Sequence, residues 1–259
     1  MHHDLHSPFR DALPAPLYFR IAHMSEDASY PVHTHEWGEF VYSFQGVLEI
    51  VLEKQKFLVP PQYGVWLPPG KAHQGISKHA ATHSSLYVSK PLCAAFPADA
   101  QALLISPFMR SILEYLRGID CHPQDERYAR VLLVFLDQLA TAPIAGSYLP
   151  SSDDPALNRL LMQLEQNPGD ERTVEALAHS INLTERTLAR RCRKDLGMPL
   201  VEWRNRLRVL KALQMLAAGK SVESIALDFG YANASSFITM FKKLTGTTPT
   251  GYGVDGEWP

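Results

Sequence analysis

Two periodicities divide this chain. Up to about residue 90 the apolar positions fall in short runs rich in β-branched and aromatic residues, "EFVYSF", "VLEIVLE", "KFLVP" and "GVWLPPG", separated by turn formers at roughly even spacing. Such runs predict an antiparallel sandwich or small barrel. From about 91 to 142 the period lengthens. "SPFMRSILEYLRGI" and "DERYARVLLVFLDQLAT" repeat at helical spacing, and the second presents a wide apolar face of Val131, Leu132, Phe135, Leu136 and Leu139. A helix that apolar needs a partner. We assign 91–142 to dimerisation, with packing on its own barrel as the alternative. "TAPIAGSYLPSSDDP" gathers turn formers and places the linker at 143–154. Beyond it the pattern is helical throughout. Asn167-Pro168-Gly169 closes a first helix, Thr173 and Ser221 stand where N-caps are expected, and a long helix carries Leu200, Trp203, Leu207 and Leu210 on one face before Gly219 ends it. The expected fold is two-domain: an all-β barrel over 1–90 with a helical segment, then an all-α domain over 155–259.

The helical half contains one pattern twice. "VEALAHSINLTERTLARRCRKDLG" begins at Val174, and "VESIALDFGYANASSFITMFKKLTG" begins about 48 residues later at Val222. Leu177 pairs with Ile225, Ala178 with Ala226 and Ile181 with Phe229; after one extra residue in the second copy, Leu188 pairs with Phe237, Cys192 with Phe241 and Gly197 with Gly246. Each copy thus predicts a short helix, a tight turn and a second helix with its apolar residues at i and i+4, the arrangement of a helix-turn-helix. With Leu188 and Cys192 turned to the core, Arg186, Arg190 and Arg193 share the opposite face. Guanidiniums there can donate fork-shaped hydrogen bonds to guanine edges and phosphates. The second copy has Ser235, Thr239 and Lys242 at those places, which suit phosphate and single hydroxyl contacts better than bidentate base reading.

Two such motifs joined by one long helix and followed by "GTTPTGY" resemble the AraC/XylS family of bacterial transcription regulators, over about residues 155–252. The resemblance implies a double-stranded DNA operator as partner. It also implies recognition helices at 184–194, from Thr184 through Lys194, and at 233–243, entering successive major grooves on one face of the DNA. RNA polymerase is a further partner the likeness suggests. Two departures weaken the second motif: the family often has Arg where this chain has Thr239, and usually Tyr-Arg where this chain has Tyr252-Gly253. The first motif is therefore the expected main reader.

"PVHTHEWGEFVYSFQG" spaces His33, His35, Glu39 and Gly46, and "GVWLPPGKAHQG" adds Pro68, Gly70 and His73. These two boxes resemble those of the cupin superfamily over about residues 15–90, the second with three residues rather than five between Gly64 and Pro68. The likeness implies that His33, His35, Glu39 and His73 meet inside the barrel as ligands for a divalent transition metal. Three imidazoles and a carboxylate suit Ni, Zn, Fe, Co, Cu or Mn without choosing among them. The alternative is a metal-free barrel whose pocket takes a small organic effector, with Trp37, Tyr42 and Trp66 as its lining. We place His79 and His83 on the surface, and read His2, His3 and His6 as a solvated arm.

Composition sharpens this reading. Residues 1–154 carry 11 Lys+Arg against 16 Asp+Glu, while 155–259 carry 14 against 11, so the basic balance sits in the half with the two motifs. Cys93, Cys121 and Cys192 are widely spaced and read as core thiols rather than a disulfide framework. No apolar run reaches the roughly 20 residues that span a bilayer, and the start lacks a signal-peptide core, so the expected compartment is the cytoplasm, with no membrane partner. The conclusion from sequence is a DNA-binding transcription regulator, homodimeric and not an enzyme, controlled by a small effector or metal in the sensor barrel. The rival is a metal-dependent cupin enzyme, a dioxygenase or isomerase, fused to a DNA-binding module. The sequence offers no catalytic constellation beyond the four ligands, so the binding role leads.

Overall fold

The computed structural model describes residues 3–4, 9, 11–53, 56–61, 63–119, 125–145, 148–245 and 248–252. Side chains of His2, His3, His6 and Cys121, and residues Gly246 and Gly253, lie outside the described set. The chain divides into two compact units, Met1–Tyr148 and Leu149–Pro259.

The first unit contains β1 (His3–Asp4), β2 (Leu17–Met24), β3 (Ala28–Ser29), β4 (Gly38–Gln45), β5 (Leu48–Val51), β6 (Lys56–Val59), β7 (Tyr63–Leu67), β8 (Gln74–Ser77), β9 (Ala81–Val88), β10 (Gln101–Leu104) and β11 (Ile144–Ala145). Among the described residues these form a six-stranded sheet ordered β11-β10-β7-β4-β9-β2 and a five-stranded sheet ordered β1-β3-β8-β5-β6. All pairs are antiparallel except β1 with β3. Successive side chains of a strand point to opposite faces, and β4 uses both. Val41 packs with Leu48, Ile50, Val65 and Leu67 between the sheets, whereas Phe40, Tyr42 and Phe44 face outward into a second core.

That second core is covered by α1 (Pro107–Gly118) and α2 (Glu126–Ala140). Leu132, Phe135, Leu136 and Leu139 of α2 are buried there with Phe40, Tyr42, Trp66 and Leu86 of the sheet, and Val131 packs at the edge. The wide apolar face on which we based dimerisation is thus satisfied by the protein's own sheet. The segment 91–142 also departs from the all-helical expectation, because β10 pairs with β7 from Gln101↔Trp66 to Leu104↔Tyr63. A strand this short, "QALL", shows too few alternations for its period to stand out between helices.

The second unit consists of α3 (Pro155–Gln166), α4 (Val174–Ser180), α5 (Glu185–Arg191) running into a π turn at Cys192–Leu196, α6 (Leu200–Ala217), α7 (Val222–Asp228) and α8 (Ala234–Thr245). The repeat is structural: Thr173 and Ser221, at equivalent places, each accept a hydrogen bond from the backbone N–H three residues on. Thr184 and Asn233 cap the second helix of each motif in the same way. Such caps contribute about 1 kcal/mol each. Leu177, Ala178, Leu188 and Cys192 are buried in one copy, and Ile225, Ala226, Phe237 and Phe241 in the other. Between them, α6 buries Val209, Ala212, Leu213 and Leu216 as well as the stripe read from sequence. A helix that serves two motifs is apolar on more than one side.

Replacing Phe135 by Ala should destabilise the sensor unit by about 3–5 kcal/mol, as expected for an emptied aromatic site in a packed core, while exposed Val134→Ala should stay within about 0.5 kcal/mol. Urea unfolding of both variants at several protein concentrations checks this. A Phe135→Ala loss that vanished on dilution would mean the face is an intersubunit contact instead.

Candidate functional site

Two constellations are candidates for the functional site, one in each unit. In the second unit, Arg186, Arg190, Arg193 and Lys194 are all exposed, while Leu188 and Cys192 on the opposite side are buried. Thr184, the N-cap, is exposed at the start of the same helix. The π turn from Cys192 widens the helix where Arg193 and Lys194 project, a local departure from uniform 100° spacing. Of the neighbouring guanidiniums, Arg191 alone is tied down, by an ion pair to Asp154 at 2.6 Å. In α8, Ser235, Thr239 and Lys242 are likewise exposed. The Thr239 hydroxyl, however, donates to the Ser235 carbonyl of its own helix at 2.9 Å. Its proton is spent within the helix, leaving only acceptor capacity for a partner. The second helix therefore presents two cations, Lys242 and Lys243, and few free donors where the first presents four cations, three of them guanidiniums.

The segment read as a linker is held against this unit. Leu149 packs on the core around Leu160 and Trp203. Trp203 Nε1 donates to the Pro150 carbonyl at 2.8 Å, Ser152 Oγ donates to Asp195 at 2.6 Å, and Asp154 caps α3 through the Ala156 and Leu157 N–H groups. The cap bond from Leu157 comes first among the causes that hold Asp154 below the usual carboxylate range, against a smaller opposing effect of burial; the Arg191 charge and hydrogen bond add to it, and the Ala156 bond adds least.

In the first unit the four sequence-predicted ligands meet. One ligand atom from each of His33, His35, Glu39 and His73 lies within 4.8 Å of the others. Backbone pairing sets this: His33 and His73 exchange two N–H···O bonds at 3.0 Å, and Gly70 N–H donates to the His35 carbonyl at 2.8 Å. Gly70 at φ 78° and Gly46 at φ 79° occupy left-handed positions that favour glycine, and a Cβ on Gly46 would also meet the Ala80 carbonyl oxygen at 2.8 Å. Each imidazole then donates Nδ1–H to a backbone carbonyl: His33 to Pro31 at 2.8 Å, His35 to Trp37 at 2.7 Å, His73 to Lys71 at 2.9 Å. A carbonyl only accepts, so the proton sits on Nδ1 and all three Nε2 atoms are left for the site. His35 Nε2 and His73 Nε2 lie 3.1 and 3.4 Å from Glu39 Oε2. Burial alone would raise the Glu39 carboxyl, yet the bonds from His35 and His73 outweigh it and hold the group well below its usual range. His73 is raised by Glu39 against its own burial, and His33 is lowered, by burial first and then by the His73 charge.

A cavity extends from this cluster between the sheets. Besides His33, Glu39 and His73 it is lined by Met24, Tyr30, Val41, Leu48, Ile50, Gly75, His83, Ser85 and Tyr87. Trp37, Tyr42 and Trp66, the expected lining, are elsewhere. Tyr42 and Trp66 belong to the core under the helices, with Trp66 Nε1 bonded to Pro97 O at 3.0 Å, and Trp37 stacks on His35 with 5.0 Å between ring centroids. His83 is also corrected: it is buried, 4 % exposed, rather than on the surface. Strand parity accounts for Tyr42, Trp66 and His83, whereas Trp37 lies just before β4. Glu39 and Val41 face inward, so Tyr42 faces outward, and His83, Ser85 and Tyr87 face inward while Leu86 and Val88 do not.

A helical unit with two helix-turn-helix motifs and a basic exposed helix face, in one chain with a double-sheet unit that encloses a cavity, fits a DNA-binding regulator with a built-in sensor. Comparison with known proteins agrees. The model of the AraC-like ligand binding domain matches residues 16–183, and that of a helix-turn-helix domain matches 177–253. The chain is 30% identical over 239 residues to the HTH-type transcriptional regulator NimR of Escherichia coli (strain K12), covering 92% of this chain and 87% of that one. It is 34% identical over 144 residues to the HTH-type transcriptional activator RhaS of Escherichia fergusonii, covering 54% and 51%. Among solved structures, ToxT from Vibrio cholerae aligns over 92% of this chain and 97% of its own at 12% identity and a TM-score of 0.38. The chain belongs to the AraC family of transcription regulators. Its N-terminal unit is the ligand-binding sensor and its C-terminal unit the DNA-binding domain.

Arg190→Ala should weaken operator binding by about 1–3 kcal/mol with relaxed preference at one base position, as for loss of a bidentate base contact. Thr239→Ala should cost less. Binding titrations at fixed salt check the ranking, and a larger loss from the second helix would reverse the assignment of main reader.

Proposed function

We propose that the sensor holds one divalent transition-metal ion on His33, His35, Glu39 and His73, and that this ion, alone or with a small effector, sets the fraction of protein competent to bind its operator. The observation that carries the reading is the orientation of the three imidazoles. Each is locked by Nδ1 to a carbonyl, so that Nε2 is the ring nitrogen left for the site; on His35 and His73 a proton there reaches the buried Glu39 carboxylate, and a metal ion could take the place of those protons. Three neutral nitrogens and one anionic oxygen directed at one point repel one another unless a proton or a cation lies between them, and the set is a borderline donor group suited to first-row metals. A bound ion would tie the His33–His35 segment, β4 and the loop carrying His73 together and supply a positive centre inside the barrel.

The same reading makes the chain a binding protein rather than an enzyme, supported by the transcription regulators among its relatives. It acts on double-stranded DNA in the cytoplasm and, as a regulator of transcription, beside RNA polymerase. Among the described residues no helix is long and apolar enough to cross a membrane. Dimerisation is retained on a different surface from the one read in sequence. Phe108 and Tyr115 of α1, 54 % and 41 % exposed, line a groove with Val131 and Val134 of α2, flanked by Arg127 and Arg130. An exposed apolar groove of this kind on a soluble unit fits a second copy of itself across a two-fold axis.

Protein purified without chelator should carry up to one transition-metal ion per chain by elemental analysis, and chelation should lower its thermal midpoint, since a ligand of the native state alone stabilises it. His35→Ala should abolish the metal and the regulation while leaving the DNA affinity of the C-terminal unit intact. No stoichiometric uptake after Ni, Zn, Fe, Mn, Co or Cu is offered would sink the metal and leave an organic effector.

Sedimentation at tens of micromolar should show a dimer that Val134→Asp dissociates. A wild-type monomer, with or without DNA, would remove the dimer from the mechanism.

A further inference from the structure

We propose that the part of the barrel cavity facing the histidine cluster binds a compact carboxylate or similar oxyanion, held between a metal at that cluster and the side chains of Tyr30 and His83. The inference rests on the metal reading above. Its independent ground is a pair of buried polar atoms left without a well-formed hydrogen bond. His83 Nδ1 and the Tyr30 hydroxyl both lie out of solvent on residues that line the cavity; His83 Nδ1 has no hydrogen-bond partner, and the Tyr30 oxygen has only the Arg20 guanidinium beside it, outside good hydrogen-bond geometry. Leaving such a group unpaired costs about 1–3 kcal/mol. Two on the wall of one cavity point to a ligand rather than to packing.

The lining decides the chemistry. Glu39 is its only carboxylate among the described residues, and it is engaged by His35 and His73. The other polar groups are hydroxyls and imidazoles, and the half-buried Arg20 guanidinium lies near the Tyr30 and Tyr87 hydroxyls. Burial holds His83 down to about 4, so its ring is neutral near pH 7 and offers one donor and one acceptor. With a divalent ion against the single Glu39 charge, and Arg20 behind, the cavity is positive and complements an anion. Met24, Val41, Leu48 and Ile50 form an apolar wall that accepts a short alkyl group. The size is small: the cavity measures about 30 Å³, against the roughly 10–15 Å³ that one water requires in the same measure. A ligand of a few heavy atoms fits, with its oxygens toward the metal, Tyr30 and His83.

The test uses the full chain loaded with Co(II), first shown by elemental analysis to hold one cobalt per chain, then titrated with sodium acetate while its visible absorption is followed. Acetamide, neutral and of the same shape, is the control. The expected result is a saturable spectral change with acetate and at least about tenfold weaker binding of acetamide. Tyr30→Phe and His83→Ala should each raise the acetate Kd about tenfold or more at unchanged cobalt content. Tyr30→Phe keeps the ring and removes only the hydroxyl beside Arg20, so the acetate-free protein should stay folded, which keeps the test informative if His83→Ala folds poorly. Full cobalt content with no saturable change, equal binding of acetamide, or an acetate Kd unmoved by Tyr30→Phe would overturn the inference and leave the metal reading standing. Failure to take up cobalt is seen before acetate is added and would overturn both.

Discussion

The sensor depends on one constraint: β4 is buried on both faces. A central strand flanked by β7 and β9 has no solvent side, so each of its residues must satisfy either the space between the sheets or the layer beneath the helices. Glu39 falls on the first side, and as a carboxylate in an apolar interior it is tolerable only with partners. The histidines supply them. Phe40, Tyr42 and Phe44 fall on the other side, and their bulk is what α1 and α2 cover. One strand thus fixes the register of the space between the sheets and of its helical cover together, and a slip of one residue would exchange the carboxylate for an aromatic ring.

The DNA-binding unit divides its labour differently. Its two motifs share buried positions, caps and turns, because those residues answer only to packing within a helix-turn-helix. Their exposed faces are not bound by that packing, and there they diverge: three arginines and a lysine against serine, threonine and two lysines, with the threonine proton already given to its own backbone. Equal scaffolds with unequal faces imply unequal contributions, since both recognition helices are presented alike and only side-chain chemistry separates them.

Much of this was legible in the sequence, and the rest had physical reasons to be missed. The double motif was readable because helical periodicity and cap residues repeat at one offset. The four metal-type residues were readable because HxHx3E and PxGx2H tie chemistry to backbone geometry at Gly46 and Gly70. The cavity lining was not, although a signal existed: Tyr42 is three residues from Glu39, an odd separation that puts it on the opposite face of the same strand. Choosing aromatics as lining ignored that parity. His83 carried the same clue, standing in register with Ser85 and Tyr87 on β9 and alternating with Leu86 and Val88. The apolar stripe of α2 gave its amphipathicity but not its partner, since own sheet and second subunit present the same chemistry to such a face.

Four consecutive-region arginines, Arg186, Arg190, Arg191 and Arg193, look interchangeable as letters, and the structure separates them by what else each can reach. Arg191 turns toward α3, where Asp154 accepts its charge at 2.6 Å while also capping that helix, and Asp195 two positions beyond Arg193 accepts from Ser152. An arginine held by a partly screened carboxylate would have to give up that pair to reach a phosphate, so it serves the fold before the DNA. The remaining three keep no such partner among the described contacts and stay exposed. The anchor Arg191 therefore follows Arg190 directly at the end of α5, and the segment 149–154 that enters this unit is fastened, through Ser152 and Asp195, to the turn from which Arg193 projects.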